Sequence, residues 1–433
     1  MGSVKKVAFY TLGCKLNFSE TSTITRSFIN NGFQIVPFGA KADVYIINTC
    51  TVTQAADKKC RQIIRKAIKT NPDAFIAVTG CYTQLNPNEI VNITGVDAIL
   101  GNNEKFKILA LLDNFRKIKK TKIITGKTKK NIPFAPSYSL SDRTRSFLKI
   151  QDGCDYYCSF CTIPLARGRS RNQSISKTLE NVKIIANSGI KEIVLTGVNL
   201  GDFGKSTGES FLQLLKTIEL VKGIERFRIS SLEPNLISDE IIEFILQSKK
   251  FLSHFHIPLQ SGSNKILKLM KRKYDRELFS QRVSKIKSLF SNAGIGVDVI
   301  AGFPGETQRD FKDTFDFLNQ LDVSYLHVFT YSERQNTLAR SLPNKLSRDE
   351  KNRRSKILHE LSDKKRNHFY RENKGNTAEV LFEKTESSGK IFGFTENYIK
   401  IETDFNQELI GKIRKVRLKE TGEKGFYLVD LLE

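Results

Sequence analysis

Three of the seven cysteines of this 433-residue chain lie within one short stretch, at Cys154, Cys158 and Cys161. The apolar run at residues 147–150 leads into them, and Gly153 then interrupts regular structure. This pattern predicts a strand followed by a loop that carries all three thiols. Three thiolates on one short loop can hold a soft metal centre.

The kind of metal centre is indicated by the number and spacing of these ligands. Zinc sites usually have four ligands in two spaced pairs, often with histidine. Here the cysteines are separated by three and then two residues, and no second pair or histidine lies nearby. The arrangement favours a 4Fe–4S cluster over a zinc knuckle, because cysteine thiolates are the usual cluster ligands. A cubane with three protein ligands leaves one iron open for a substrate or cofactor.

A second group of cysteines is predicted in the N-terminal part of the chain. Residues 4–114 alternate strand-like and helix-like segments, which is typical of a parallel sheet covered on both faces. Cys14, Cys50 and Cys81 each follow a strand-like run. The carboxyl ends of parallel strands meet at one edge of a sheet, so we expect these three thiols to lie together there.

Each of these cysteines alone could simply be a small buried apolar residue, since free cysteine is commonly buried. Their equivalent positions after three strands favour a second metal site instead. Gly13 and Gly80 support it, because glycine lets the backbone turn and approach a cluster closely. Cys60 falls within a helix-like segment and has no matching partner, so it is interpreted as a packed thiol.

The central part of the chain, from residue 144 to about residue 345, shows six strand-like runs separated by helix-like segments. Six β/α units predict a partial barrel that is open on one side. Barrel enzymes place their chemistry at the carboxyl ends of the strands. Those ends here carry residues that would surround the mouth with the cysteine loop: Gly197, Asn199, Ser231, Glu233, Gln260 and Gly302.

The loop CDYYCSFC resembles the cluster loop of radical S-adenosylmethionine enzymes. By this resemblance, the open iron of a 4Fe–4S cluster binds the amino and carboxylate groups of S-adenosylmethionine. One electron from the cluster then cleaves the sulfonium and releases a 5′-deoxyadenosyl radical. The radical abstracts the hydrogen, so no side chain is assigned as a catalytic acid or base beyond the cluster ligands.

The segments LGCKLNFSET, INTCTVT and VTGCY resemble the N-terminal domain of the methylthiotransferases, a family of radical S-adenosylmethionine enzymes. The resemblance covers essentially the whole chain in the domain order of that family. It implies a second 4Fe–4S cluster on Cys14, Cys50 and Cys81. That cluster also has an open iron, where the sulfur to be inserted is thought to bind.

The same resemblance implies contacts to S-adenosylmethionine at the strand ends. The segment LTGVNLG, with Gly197 and Asn199, is similar to the part that approaches the methionine amino group. The segment SSLEP, with Ser231 and Glu233, is similar to the ribose and methionine region, and VDVIAGFPGE, with Gly302, is similar to the adenine side. Taken singly each motif is weak, because a glycine at a strand end is usually a turn and Glu233 could equally cap a helix.

Arg167, Arg169 and Arg171 follow the cluster loop at alternating positions. Arginine forms bidentate pairs with carboxylates and phosphates, so Arg167 is a candidate contact for the cofactor carboxylate or an RNA phosphate. A solvated strand face fits the same spacing.

A basic segment precedes the predicted barrel, and a charged helix follows it. Residues 115–143 are predicted to be a basic linker, either a solvated tether or a contact for a phosphate backbone. By the same resemblance, residues 144–374 are expected to be the radical S-adenosylmethionine domain, which ends in a charged bridging helix from residue 347.

Residues 375–433 alternate apolar and polar residues between glycine turns, which predicts a small antiparallel barrel. It resembles the TRAM domain, an RNA-binding module of tRNA-modifying enzymes. Such barrels combine a basic surface with aromatic side chains for base stacking. Phe392, Phe394 and Tyr398 are candidates for stacking, although they could also fill the small core. The fold prediction is therefore an α/β protein with three domains.

The composition indicates a polyanionic partner. The formal net charge is +24, and residues 116–130 contain eight lysines or arginines without an acidic residue. Phosphates attract such charge by counterion release, although a lysine-rich proteome would raise the charge without a function. No apolar run approaches the roughly 20 residues of a membrane span, and no export signal is evident. We expect a cytosolic protein without a membrane partner, with reduced or metal-bound cysteines.

The predicted function is a tRNA methylthiotransferase acting on an anticodon stem-loop, with an external electron donor and a sulfur donor. The cysteine motifs resemble most the family members that modify carbon 2 of threonylcarbamoyladenosine next to the anticodon. Alternatives are methylthiolation of isopentenyladenosine in tRNA or of an aspartate in a ribosomal protein. A non-catalytic, metal-stabilised RNA-binding protein is a third possibility, which the strand-end glycines and six β/α units disfavour.

Overall fold

A computed structural model describes residues 4–112, 114–126, 132–140, 143–422 and 425–432. Its N-terminal part is a parallel six-stranded sheet in the order β2-β1-β3-β4-β5-β6. The strands are β1 (Lys6–Thr11), β2 (Gln34–Ile35), β3 (Val44–Thr49), β4 (Phe75–Gly80), β5 (Ala98–Leu100) and β6 (Lys122–Ile124). The helices are α1 (Lys15–Asn30), α2 (Gln54–Thr70), α3 (Cys81–Leu85), α4 (Pro87–Val91) and α5 (Ile108–Leu111).

The two faces of this sheet carry separate apolar cores, as expected for a parallel sheet. Every residue of β3 and β4 is buried, which explains their continuous apolar sequences. The helix α1 begins at Lys15, earlier than its apolar pattern indicates. Its first turns bury polar side chains against the next domain, among them Asn17 and Glu20. A buried polar face of this kind gives no amphipathic signal in the sequence.

The basic segment predicted as a linker over 115–143 is partly built into this sheet. The strand β6 pairs with β5, and Phe115 packs in the core beneath it. The ammonium of Lys117 lies 2.9 Å from the buried carboxylate of Asp97. Residues 127–131 and 141–142 of the predicted linker lie outside the described residues. Cross-strand pairing and one ion pair, rather than composition, place the start of this segment in the first domain.

The central part contains the six predicted parallel strands and three short additional ones. The strands are β7 (Ser137–Tyr138), β8 (Ser146–Lys149), β9 (Gln151–Asp152), β10 (Arg171–Asn172), β11 (Glu192–Thr196), β12 (Arg226–Ile229), β13 (His254–Gln260), β14 (Gly294–Ala301) and β15 (Tyr325–Thr330). The helices are α6 (Ile163–Arg167), α7 (Ile175–Asn187), α8 (Phe211–Glu219), α9 (Asp239–Gln247), α10 (Asn264–Leu269), α11 (Arg276–Leu289), α12 (Gln308–Gln320) and α13 (Arg348–Glu372).

These strands form a partial barrel. One sheet has the order β12-β11-β8-β7 and the other the order β13-β14-β15, and two isolated bridges, Phe227 with Phe251 and Ser231 with His256, join them. The apolar core lies between the strands and the surrounding helices. The barrel is therefore open between β8, whose edge is covered by the short antiparallel β7, and β15.

The N-terminal domain covers this open side. On one edge, α1 packs against β7 and β8. On the other edge, the backbone N–H of Gln54 donates to the Ser332 hydroxyl at 3.0 Å. The Arg334 guanidinium lies 2.7 Å from the Asp57 carboxylate. The edge of the sheet that carries the N-terminal cysteines thus faces the barrel.

The C-terminal part is a closed five-stranded barrel in the order β16-β17-β18-β20-β19. Its strands are β16 (Thr377–Ser387), β17 (Lys390–Thr395), β18 (Lys400–Asp404), β19 (Ile413–Thr421) and β20 (Tyr427–Leu431). It differs from the predicted antiparallel barrel in one pairing, since β18 and β20 are parallel. No helix in the described part of the chain is long and apolar enough to cross a membrane.

The three aromatic residues predicted for base stacking have different surroundings. Phe392 is buried in the C-terminal barrel, with 8% of its surface exposed. Tyr398 stacks on Phe394, with ring centroids 4.7 Å apart, and also on His254 of the central barrel at 4.3 Å. The Tyr398 ring therefore contributes to the contact between the C-terminal and central barrels.

Candidate active site between two cysteine groups

The predicted cluster loop lies between β9 and α6, and N–H groups point at its sulfur atoms. The N–H of Tyr156 donates to Cys154 Sγ at 3.4 Å, and that of Ile163 donates to Cys161 Sγ at 3.5 Å. The guanidinium of Arg272 donates to Cys158 Sγ at 3.0 Å. Hydrogen bonds of this kind favour the thiolate form that metal ligation requires.

The loop also provides the desolvated surroundings of a metal centre. Burial raises the pKa of Cys154 and of Cys161 to about 12, and neighbouring cysteines of the loop add to the effect. Such thiols stay protonated at neutral pH unless a positive centre displaces the proton. The three thiols, with one guanidinium that donates to a sulfur, suit an iron–sulfur cluster that keeps one iron free of protein ligands.

Gly153 fixes the start of the loop. Its φ of +72° lies in the left-handed region, and an added Cβ would lie 2.0 Å from the carbonyl oxygen of Arg169. That carbonyl belongs to the chain leaving the loop, whose Gly168 oxygen accepts from the Cys154 N–H at 3.1 Å. Only glycine allows the two backbone segments to approach this closely.

We therefore expect Gly153→Ala to displace the loop and to prevent stable iron binding by the central domain. Gly189→Ala is the matched control, since Gly189 also has a positive φ, +81°, but has no atom within 4 Å of an added Cβ. The control should lose only the about 1–2 kcal/mol of left-handed strain and bind iron normally. Iron analysis after anaerobic reconstitution compares them, and equal iron contents would contradict this role of Gly153.

The structure brings the three N-terminal cysteines to one edge of the sheet. Cys14 precedes α1, Cys50 follows β3, and Cys81 begins α3 at the end of β4. The thiols of Cys14 and Cys81 are close enough to act electrostatically on that of Cys50, whose pKa is raised to about 12, chiefly by burial. A Cβ on Gly13 would lie 2.7 Å from the Cβ of Cys50, so glycine is needed for this approach.

Cys60 lies next to this group but does not share its edge position. It is completely buried in α2, and its thiol donates to the carbonyl oxygen of Cys50 at 3.3 Å. The contact is consistent with the packed thiol predicted for this position.

A buried network of charges joins the two cysteine regions. The carboxylate of Glu20 accepts from Arg167 at 3.0 and 3.1 Å, from Lys149 at 3.0 Å and from Lys105. Arg167 also donates to Asp152 at 3.0 Å and to Asn17 at 2.7 Å. Glu20 is fully buried. Although burial alone acts in the opposite direction, the charges of Arg167, Lys105 and Lys149 hold the pKa of Glu20 well below its usual range.

This network changes the interpretation of Arg167, which the sequence predicted as a cofactor or phosphate contact. The side chain is 2% exposed, and both terminal nitrogens of its guanidinium donate to acceptors within the chain. Close by, the amide nitrogen of Asn102 donates to the carbonyl oxygen of Ala166 at 2.8 Å and lies 3.6 Å from Cys81 Sγ. The helix α6, which follows the cluster loop, is therefore linked to the N-terminal cysteine group through Asn102.

The other strand-end residues lie around the barrel mouth in different surroundings. The backbone N–H of Asn199 donates to the Gln151 side chain at 2.8 Å, and a Cβ on Gly197 would meet the same oxygen at 3.0 Å. Ser231 forms a backbone bridge with His256. Gly302 has a φ of +77°, and its missing side chain would point at Lys351 of α13, so helix packing also requires a glycine there.

Glu233 is connected to the cluster loop through a residue that the sequence did not single out. Its carboxylate pairs with Arg272, the same guanidinium that donates to Cys158. Burial raises the pKa of Glu233, and the Arg272 charge opposes this shift. Nothing in the sequence distinguishes Arg272 from the many other basic residues around it.

Gln260 lines a cavity of about 280 Å³ beside the cluster loop. The residue has a positive φ of +69° at the end of β13. The cavity wall includes Phe160 of the loop, Ile300, Tyr331 and Val52 of the N-terminal domain. It is a largely apolar site next to the three cysteines, with one amide at its edge.

Comparisons with known proteins agree with this arrangement. Residues 6–101 match the uncharacterised protein family UPF0004, and residues 148–318 match the radical SAM superfamily. A solved radical S-adenosylmethionine methyltransferase, TsrM from Kitasatospora setae, superposes with a TM-score of 0.56 at 15% identity. The superposition covers 75% of this chain and 73% of that chain, and at this identity it shows the fold alone.

Curated relatives match over almost the full length of both chains. The threonylcarbamoyladenosine tRNA methylthiotransferase MtaB of Bacillus subtilis is 41% identical over 96% of this chain and 94% of its own. The MtaB of Aquifex aeolicus is 40% identical over 95% and 99%. A tRNA-2-methylthio-N(6)-dimethylallyladenosine synthase of Alkaliphilus oremlandii is 32% identical over 97% and 91%. The chain therefore belongs to the radical S-adenosylmethionine methylthiotransferase family.

Proposed function

We propose that this protein adds a methylthio group to carbon 2 of threonylcarbamoyladenosine next to the anticodon of tRNA. The observation that carries the proposal is the position of the N-terminal domain, which covers the open side of the barrel and faces it with a second cysteine group. The relatives at 40–41% identity, which are named as threonylcarbamoyladenosine enzymes, support this substrate over isopentenyladenosine, since the relative named for dimethylallyladenosine is 32% identical.

We propose two 4Fe–4S clusters, one on Cys154, Cys158 and Cys161 and one on Cys14, Cys50 and Cys81. With S-adenosylmethionine, the first cluster would provide radical chemistry, and the second would provide the sulfur. The residues of the chain bind, orient and exclude water. Arg272 neutralises Cys158 and fixes Glu233 at the mouth, while the N-terminal domain keeps solvent out of the barrel.

We propose that S-adenosylmethionine lies at the mouth, with its adenine in the cavity beside Gln260 and its polar groups near Gly197, Asn199, Ser231 and Glu233. Gly302 supports this site indirectly, because its lack of a side chain lets α13 pack closely against it. Arg167 is assigned to the contact between the domains instead of the cofactor.

The C-terminal barrel and the basic surface are proposed to hold the tRNA anticodon stem-loop. The strand β19 exposes the side chains of Arg414, Lys415, Arg417 and Lys419. Single-stranded loops present unstacked bases, so one adenosine of the loop can enter the mouth of the central barrel. We propose a cytosolic location, where tRNA, an external electron donor and a sulfur donor are available. The first domain is proposed to extend beyond residue 114 to include β6.

Mass spectrometry of tRNA nucleosides tests the proposal. The gene is supplied to cells that contain threonylcarbamoyladenosine and isopentenyladenosine but lack both methylthio derivatives. We expect methylthio-threonylcarbamoyladenosine to appear, with isopentenyladenosine left unchanged. Methylthiolation of isopentenyladenosine alone would assign the protein to the enzymes that modify isopentenyladenosine in tRNA. A modified ribosomal protein with unchanged tRNA would contradict an RNA substrate.

A further inference from the structure

A second cavity, of about 300 Å³, lies where the three domains meet. Its wall includes Cys14, Lys15, Arg143, Arg145, Arg228 and Tyr398. It shares no lining residue with the cavity beside Gln260. One of the proposed ligands of the sulfur-supplying cluster is thus also a wall residue of a cavity between the domains.

This cavity is strongly cationic. Four of its lining side chains are basic, and none of its described lining residues is acidic. The nearby carboxylates compensate only part of this charge. Glu192 lies 3.1 Å from Arg228 and 3.8 Å from Arg145, and Glu383 lies 2.8 Å from Arg145. The other hydrogen bonds of Arg228 go to neutral carbonyl oxygens of Thr395 and Glu396.

Lys15 and Arg143 are the cations left without a carboxylate. Within the described part of the chain, neither has an acidic oxygen within 4.0 Å. The Arg143 guanidinium lies 4.3 Å above the ring of Phe18, which holds it at the cavity wall. Two cations that face one small cavity and have no carboxylate partner there favour an anionic ligand.

The chemistry of the substrate indicates which anion this is. In adenine, carbon 2 and carbon 6, which carries the N6 amino group, are bonded to the same ring nitrogen. A substituent on N6 therefore lies close to carbon 2, the atom that receives sulfur. Since Lys15 follows Cys14 directly in the chain, a base that presents carbon 2 to the N-terminal cysteines places its N6 substituent near Lys15.

We propose that Lys15 and Arg143 bind the carboxylate of the threonylcarbamoyl group, with Arg145 and Arg228 strengthening the positive potential. The inference rests on the proposed function and assigns the residues that select its substrate. A backbone phosphate carries the same kind of anionic oxygens, so the two sources must be separated. The position beside Cys14, a proposed ligand of the cluster that supplies the sulfur, favours the group attached to the base.

Binding of two anticodon stem-loops by the reconstituted full-length protein tests this assignment. The loops differ only in carrying threonylcarbamoyladenosine or unmodified adenosine, and fluorescence anisotropy gives both Kd values. Charge-assisted hydrogen bonds contribute about 1.5–3 kcal/mol, so we expect Lys15→Met or Arg143→Gln to weaken binding of the modified loop about tenfold or more. Binding of the unmodified loop should change less than about twofold.

Controls separate recognition from damage. Lys216→Met changes an exposed lysine on the outer helix α8 and should affect neither loop. Lys15→Arg should restore the preference for the modified loop. Because Lys15 adjoins a proposed cluster ligand, the iron content of each variant is measured, and Arg143→Gln gives a second test away from Cys14.

Two results would overturn the inference. Equal weakening of both loops would assign the site to a backbone phosphate, and an unchanged preference in both variants would remove Lys15 and Arg143 from recognition. In either case, a wild-type protein that methylthiolates the modified loop leaves the proposed function intact. A wild-type protein that modifies neither loop and binds them equally overturns the proposed function itself, and the inference with it.

Discussion

Replacing Cys154, Cys158 and Cys161 together with alanine is expected to abolish S-adenosylmethionine cleavage and methylthiolation. Each proposed cluster contains four irons, so the wild type should hold about eight irons after anaerobic reconstitution and the triple variant about four. The remaining iron should disappear when Cys14, Cys50 and Cys81 are also replaced. Iron and acid-labile sulfide analysis, with an assay of S-adenosylmethionine cleavage, measures each effect.

The complementary variant separates the two sites. Alanine at Cys14, Cys50 and Cys81 should leave S-adenosylmethionine cleavage in place while methylthiolation is lost. Cys60→Ala is the control for cysteine removal, because Cys60 is packed in α2 and should not change the iron content. A wild type with only about four irons, all lost from the central triple variant, would identify the N-terminal cysteines as packing residues.

Glu20→Gln is expected to be strongly destabilising. The substitution keeps the size of the side chain but removes the charge that Arg167, Lys149 and Lys105 share, leaving Asp152 as the remaining carboxylate of the group. Breaking a buried ion pair by removing one partner costs about 3–5 kcal/mol, because it leaves uncompensated buried charge. Denaturant unfolding of the full chain measures the free energy of unfolding.

The matched control for this prediction is Glu225→Gln, which removes one partner of an exposed ion pair with Lys191. Exposed pairs contribute about 0–1 kcal/mol, so this variant should remain close to the wild type. If both variants lose the same stability, the buried network does not hold the N-terminal domain on the barrel.

The same carboxylate predicts a specific acid sensitivity. The folded-state pKa of Glu20 lies below its unfolded value, so its stabilising contribution is complete above the ordinary carboxyl range. That contribution is lost as the pH falls from there through the folded-state pKa. The Glu20→Gln variant has no carboxylate at this position and therefore no such contribution to lose. The difference in unfolding free energy between wild type and variant should therefore shrink at acidic pH. A difference that stays constant with pH would contradict the assignment.

The sequence predicts those parts of the fold that follow from local pattern. The apolar runs locate the main strands of the first two domains, and parallel topology then places Cys14, Cys50 and Cys81 at one edge. Neither the strand β6 nor the parallel pairing of β18 with β20 is predicted from the sequence. A basic segment and an alternating β pattern do not reveal which strands pair with each other.

The limits at the site have a similar physical cause. Arg167 and Glu20 lie 147 positions apart and meet only after the domains have docked. Arg272 contacts Cys158 across 114 positions. Their charges resemble those of solvated residues in the sequence, and only the three-dimensional arrangement buries them. Sequence reasoning therefore identifies ligands on conspicuous loops and misses the side chains that orient them.

The separation of the two cavities has a consequence for the order of events in time. By the family resemblance, methylthiolation would use one S-adenosylmethionine to form the radical and another to supply the methyl group. The cavity at Gln260 and the cavity at Lys15 have no wall residue in common, so with the ligands placed as proposed, exchange of S-adenosylmethionine need not displace the RNA. On this placement, both molecules of S-adenosylmethionine can be used while the same tRNA stays bound.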